Sequence, residues 1–130
     1  MHPLPDHIGL ILIDHGSKRA EANAMLDDVV RMFKELTGSR IVEPAHMELA
    51  APSLEQAFAA CVHQGAKEIV VHPYFLSPGR HSQEDIPRMA AGAAAAFPEV
   101  RYRVTSHLGL DTRMCEVVMQ RVREALNEEA

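Results

Sequence analysis

The chain has 130 residues, 47% hydrophobic and 24% charged, the balance of one soluble globular domain, which excludes fibrous, collagen-like and strongly disordered readings. With 13 Lys+Arg against 18 Asp+Glu the formal net charge is -5, so no overall electrostatic attraction draws it to nucleic acid or to an anionic membrane. Eight histidines with no tryptophan make imidazole the side chain in which to look for chemistry.

Ile8-Gly9-Leu10-Ile11-Leu12-Ile13 is a short apolar run rich in branched residues, as expected of a parallel strand buried on both faces. Asp14-His15-Gly16-Ser17 ends it. From Ala20 to Thr37 the apolar residues Ala22, Leu26, Val29, Phe33 and Leu36 keep a helical period, and Gly38 supplies the stop. A second strand is predicted from Arg40 to about Leu49, at an edge or a bulge because Pro44 interrupts it. Ser53 and Gln56 form a capping-box signature before the stripe Leu54, Ala57, Phe58, Cys61 and Val62. Glu68 to Leu76 reads as another buried strand running into Ser77-Pro78-Gly79-Arg80-His81. The next helix is predicted from Ser82 or Asp85 to Phe97, with Pro87 in its first turn. Val100 to Thr105 alternates like a half-exposed strand, and Asp111 to about Leu126 is helical in period.

The order βαβαβαβα predicts an α/β fold: a single flavodoxin-like lobe with a four-stranded parallel sheet, order 2-1-3-4, and helices on both faces. Residues 1–130 then make one domain, with 1–7 and 127–130 as flexible tails. No apolar run reaches the length of a membrane span, and Met1 to Asp6 lacks the basic start and apolar stretch of a secretion signal. The two cysteines, Cys61 and Cys115, stand outside any C-x-x-C pattern, so a reduced, cytoplasmic protein is expected.

Ligands of open α/β sheets bind beyond the carboxyl ends of the strands, where the winding reverses. There the order 2-1-3-4 brings together His15 after the first strand and His81 after the third. The other two strands end at His46-Met47-Glu48 and Ser106-His107, so every strand delivers a histidine or carboxylate to one edge. Gly16 permits a tight strand-to-helix turn and can also aim amides at an anion. Lys18, Arg19, Arg80 and Arg88 would suit an anionic substrate. His72 fits a hydrogen-bonded core position and His63 a helix end. Phosphate-loop, dinucleotide, serine-hydrolase and zincin motifs are absent. Two imidazoles with an oxygen ligand suit exchangeable binding of a divalent transition ion.

Ile13-Asp14-His15-Gly16-Ser17-Lys18-Arg19, Glu43 to Ala50, Phe75 to Pro87 and Leu108-Gly109-Leu110 resemble the matching segments of the small class II tetrapyrrole chelatases of the CbiX type, over about residues 8 to 126. The pairing of H-G-S with a later G-R-H-x-x-x-D-I-P carries that resemblance, and it is nearest to the sirohydrochlorin-specific members. It implies insertion of Fe²⁺ or Co²⁺ into sirohydrochlorin with release of two protons. His15 and His81 are then the two catalytic, metal-contacting imidazoles, and Glu48 a metal contact or proton acceptor. Arg80, Lys18 and the amides of Gly16 and Ser17 would meet the substrate's peripheral carboxylates. No permanently bound cofactor is implied, and the cysteines that hold an iron–sulfur cluster in plant-type relatives have no matching set here. His107 stands where the family usually has proline. Longer relatives carry two lobes in one chain, which implies a homodimer for this length. The competing reading is a metal or tetrapyrrole carrier that uses the same crevice without catalysis. A histidine phosphatase is excluded because Asp14 precedes His15, where those enzymes place an arginine.

Overall fold

The computed structural model describes residues 1–77 and 79–129, the side chains of residues 80–82 and of residues 128 and 129 lying outside the description. Its elements are β1 (Ile8–Asp14), α1 (Ala20–Thr37), β2 (Ile41–His46), α2 (Leu54–His63), β3 (Glu68–Pro73), α3 (Arg80–Ala94), β4 (Arg101–Val104) and α4 (Thr112–Glu129). The strands form one parallel sheet in the order β2-β1-β3-β4. This is the predicted flavodoxin-like arrangement.

Alternation along the central strand divides the core. Ile11 and Ile13 point to one face, where Ile69 and Val71 of β3 join them under Phe58 of α2 and Ile86 and Ala90 of α3. Leu10 and Leu12 point to the other, under Leu26 and Val30 of α1. Gly9 is required by the first packing: a Cβ there would stand 3.0 Å from Cys61 Sγ and 3.2 Å from Ala66 Cβ. The same burial, with the Glu43 carboxylate, pushes the Cys61 thiol up to about 12.

Local rules account for the boundaries. Gly38 ends α1 with φ 75° and returns its N–H to the Lys34 carbonyl, a left-handed stop that glycine adopts without strain. Ser53 Oγ accepts from the Gln56 N–H at 3.1 Å while Gln56 Oε1 accepts from the Ser53 N–H at 2.8 Å, the reciprocal cap that starts α2. Pro44 sits in β2, opposite Leu12 of β1, and is tolerated because β2 is an edge strand.

Four expectations need correction. α3 begins at Arg80, so Pro87 lies inside the helix and not in its first turn. The carbonyl of Gln83 thereby loses its helical donor, at a place where both residues are exposed and water can replace the bond. The segment before β1 is anchored, not a loose tail: Leu4 N–H donates to Ser39 Oγ at 3.0 Å, Arg40 Nη2 to the Asp6 carbonyl at 3.0 Å, and Lys67 N–H to the His7 carbonyl at 2.7 Å. Residues 127–129, expected as tail, continue α4. β3 is buried on one face only, Val70 and His72 being half-buried, because α1 alone covers that side of the sheet and α4 runs clear of it.

Candidate active site

β1 carries Asp14 and His15 to the carboxyl edge of the sheet, and the chain beyond β2 runs alongside them. Met47 N–H donates to the Asp14 carbonyl at 2.8 Å and Glu48 N–H to the His15 carbonyl at 3.1 Å. These bonds extend the ladder past the last residue of β2 and hold Glu48 beside His15. Gly16 turns the chain with φ 88°. A Cβ on it would fall 1.9 Å from the Glu48 carbonyl oxygen and 3.0 Å from His46 Cβ, so only glycine allows the two segments to lie this close.

Asp14 fixes the turn from inside. Its Oδ1 accepts the Gly16 N–H at 3.0 Å and the ring N–H at Nδ1 of His46 at 2.5 Å. His46 is 2% exposed, so its imidazole is a buried strut and not a ligand for anything entering from solvent. Asp14 and His46 are register partners on adjacent strands, and aligning the two strand ends would have revealed the pair in the sequence.

The His15 ring is exposed and leans on Phe75, the centroids 4.5 Å apart and the planes tilted by 56°. It lines a cleft of about 310 Å³ with Met47, Glu48, Asp85, Arg88 and Met89. Glu48 is exposed there too, so the imidazole and the carboxylate share one wall. Arg88 is ion-paired to Asp85 one turn earlier on α3. A second cleft of about 300 Å³, lined by Pro73, Gln83, Pro87, Thr105, Ser106 and His107 among others, opens on the far side of the start of α3. The expected sites Arg80 and His81 belong by backbone to the first turn of α3, and their side chains lie outside the described residues.

The expected anion cradle of H-G-S amides is not what the turn builds. Gly16 N–H is used by Asp14, and Ser17 N–H donates to Asn23 Oδ1 at 2.9 Å while Asn23 Nδ2 donates to the Ser17 carbonyl at 2.8 Å. Both amides face inward. Ser17 Oγ accepts from the Arg19 N–H at 3.0 Å, and Lys18 and Arg19 are exposed. Anion recognition at this edge is left to side chains.

His107 is half-buried at the rim of the second cleft, and His72 is outside both clefts. The His72 Nδ1 atom lies 2.7 Å from Thr105 Oγ1, and burial, reinforced by the charge of His107, holds its pKa below the ordinary 6.5. His63 is the exposed last residue of α2, as its sequence position implied. No group of three or more His, Cys, Asp or Glu side chains placed to hold a metal ion occurs among the described residues; those that line the first cleft are His15, Glu48 and Asp85, the last paired with Arg88.

The CbiX family model matches residues 9–125. The chain is 52% identical over 122 residues to a chloroplastic sirohydrochlorin ferrochelatase of Arabidopsis thaliana, covering 94% of this chain and 54% of that protein. It is 27% identical to a sirohydrochlorin cobaltochelatase of Methanopyrus kandleri, covering 94% of this chain and 99% of that protein. Among solved structures, the sirohydrochlorin chelatase SirB from Bacillus subtilis subspecies spizizenii in complex with cobalt superposes with a TM-score of 0.83 at 29% identity, over 90% of this chain and 50% of that one. The chain thus spans about half the length of the Arabidopsis and Bacillus proteins and almost all of the Methanopyrus one.

Proposed function

We propose that this chain, which belongs to the CbiX family, inserts Fe²⁺ or Co²⁺ into sirohydrochlorin. The observation that carries the reading is the His15 turn: an exposed imidazole at the switch point of the sheet, with the backbone of Glu48 bonded to that of His15 and both residues lining one cleft. The names of the Arabidopsis and Methanopyrus relatives supply the substrate and the two metals.

Insertion exchanges an aquated ion and two pyrrole N–H groups for a metallated macrocycle and two protons. A neutral imidazole suits both halves of that exchange, because it can ligate the arriving ion or take a proton at neutral pH. His15 is assigned one of these tasks and His81, in the first turn of α3, the other. Glu48 adds a negative charge that draws the ion to the site and can accept the second proton. Lys18, Arg80 and the Ser17 hydroxyl meet the peripheral carboxylates. Gly16 serves by bringing Glu48 close to His15. The metal is substrate, no permanently bound cofactor is assigned, and the low cysteine content supports a reducing compartment such as the cytoplasm.

A cleft of about 310 Å³ lies at the lower end of small-ligand sites, which run from about 300 to 1,000 Å³. A broad four-ring macrocycle needs more wall than that. A homodimer whose two clefts face a common space supplies it, consistent with relatives about twice as long as this chain.

The test is anaerobic insertion followed by the absorption change of sirohydrochlorin, with Fe²⁺ and with Co²⁺, against the enzyme-free rate. Wild type accelerates insertion of at least one metal. His15→Ala and His81→Ala each lose at least about 100-fold while keeping wild-type circular dichroism, and His63→Ala stays active. No acceleration with either metal, or full activity in folded His15→Ala, overturns the assignment.

A further inference from the structure

Among the described residues, Leu49 alone of the non-glycines has a left-handed backbone, φ 68°, and its side chain is 58% exposed. The fold favours neither choice. A residue with a Cβ is strained in that conformation where glycine is not, and a leucine left in water adds little to the core. Single surface leucines need no explanation. One that both strains the backbone and stays exposed, next to a candidate active-site residue, points to a function.

The turn that carries Leu49 is closed on itself and bonded to the site. His46 N–H donates to the Pro52 carbonyl at 2.9 Å and Glu48 N–H to the His15 carbonyl at 3.1 Å. Leu49 therefore sits at the centre of a tied loop, directly after the Glu48 that lines the cleft with His15. The pattern recurs across β1, on the loop after β3. Tyr74 N–H donates to the Ile13 carbonyl at 2.8 Å, Phe75 packs on the His15 ring, and Leu76 is 65% exposed. The His15 turn is thus flanked on both sides by a bonded loop that leaves a leucine in water.

We propose that Leu49 is a substrate-contact residue whose side chain lies against the apolar face of the macrocycle, with Leu76 doing the same from the other side of His15. The inference rests on the chelatase reading above and deepens it. A tetrapyrrole of this class is charged at its rim and apolar across its conjugated face, so the two regions need different partners. Lys18 and Arg80 suit the rim carboxylates, whereas the face calls for exposed apolar side chains. Leucines there exclude water from the ring and leave His15 and Glu48 to the ion and the protons. Contact with the face is made before and during insertion alike. Its loss should therefore raise KM for the tetrapyrrole and leave kcat nearly unchanged.

Leu49→Asn and Leu49→Gly are the informative variants, since both residues accept left-handed backbone. Each should unfold in urea at or above the wild-type midpoint. Ultrafiltration with metal-free sirohydrochlorin should show affinity about tenfold weaker in both, the scale on which apolar sites register a lost contact. The KM for sirohydrochlorin should rise by a similar factor with kcat within about twofold of wild type. Leu49→Met, which keeps an apolar side chain, should restore both, and Co²⁺ alone should bind all of these proteins equally in calorimetric titration. Wild-type affinity for sirohydrochlorin in Leu49→Asn overturns the inference, and a loss confined to Leu49→Gly does so as well, by tracing the effect to the stiffness of the turn. A lowered urea midpoint in both variants assigns Leu49 to the fold instead. A changed sedimentation coefficient in Leu49→Asn assigns it to a contact between copies, and either result overturns the proposed role. Wild type that neither binds nor metallates sirohydrochlorin overturns the chelatase reading and this inference with it, whereas wild type that does both beside unaffected variants overturns this inference alone.

Discussion

Replacing Gly16 by alanine places a methyl group in the tightest part of the carboxyl edge. The residue has φ 88°, and the new Cβ would lie 1.9 Å from the Glu48 carbonyl oxygen. Left-handed backbone costs a residue with a Cβ about 1–2 kcal/mol. The overlap is with backbone and no rotamer relieves it, so residues 47–49 must move, at an overpacking cost of about 1–3 kcal/mol. The total of about 2–5 kcal/mol is a large share of the 5–15 kcal/mol that holds an ordinary domain. The movement that relieves it also breaks the Glu48 N–H to His15 carbonyl bond at 3.1 Å, so stability and catalysis fall together. Urea unfolding followed by circular dichroism measures the first, and insertion by the still-folded variant measures the second. Gly92→Ala is the control: its Cβ meets nothing within 4 Å and it sits in α3, so alanine should be neutral or stabilising by about 0.5–1 kcal/mol. A Gly16→Ala protein within about 0.5 kcal/mol of wild type, with undiminished insertion, would refute the account of how His15 and Glu48 are held together.

Two pH effects follow from different histidines. Insertion should rise with pH through the imidazole range, since a protonated ring neither ligates an ion nor accepts a proton; initial rates flat from about pH 5.5 to 8, corrected for the spontaneous reaction, would remove imidazole from both roles. Stability should rise with pH through the range in which His72 titrates. Its folded pKa lies below the ordinary 6.5, lowered by burial and by His107, so the unfolded chain binds the proton more readily, and the stabilisation present above 6.5 is lost as pH falls through the folded value. His72→Gln should narrow the difference between urea midpoints at pH 7.5 and 5.5, and an unchanged difference would show that His72 is not its source.

Most of the frame was legible because its signals are local. Gly38, the Ser53–Gln56 cap and the edge-strand Pro44 each act on the residues beside them, and each marks what the sequence implied. The features that no local signal marks depend on partners distant in sequence. Asp14 and His46 are 32 positions apart, and neither reads as a strut until the two strands are set in register. Pro87 misplaced the start of α3 because the helix-breaking rule assumes a buried ladder, whereas this turn faces an open cleft. The stripe of α4 stated correctly that one face needs cover, but amphipathicity carries no information about which surface provides it.

Residues on loops are ordinarily the mobile part of a fold, yet this edge is bonded across its width. Met47 and Glu48 tie the chain after β2 to that after β1, Tyr74 N–H donates to the Ile13 carbonyl at 2.8 Å, Thr105 N–H to the Val71 carbonyl at 2.9 Å, and Leu108 and Gly109 reach back to the loop after β3. Pairing thus continues past the last residue of each strand and in the order of the sheet. The cost of ordering these loops is met by the same backbone bonds that form the core ladder, so His15 and Glu48 are positioned before any substrate arrives. Their placement should therefore be as sensitive to a lost strap in a neighbouring loop as to a change in the turn itself. On the proposed reading, the histidine-free stretches 74–76 and 108–109 should then affect insertion through their backbone bonds and not through their side chains.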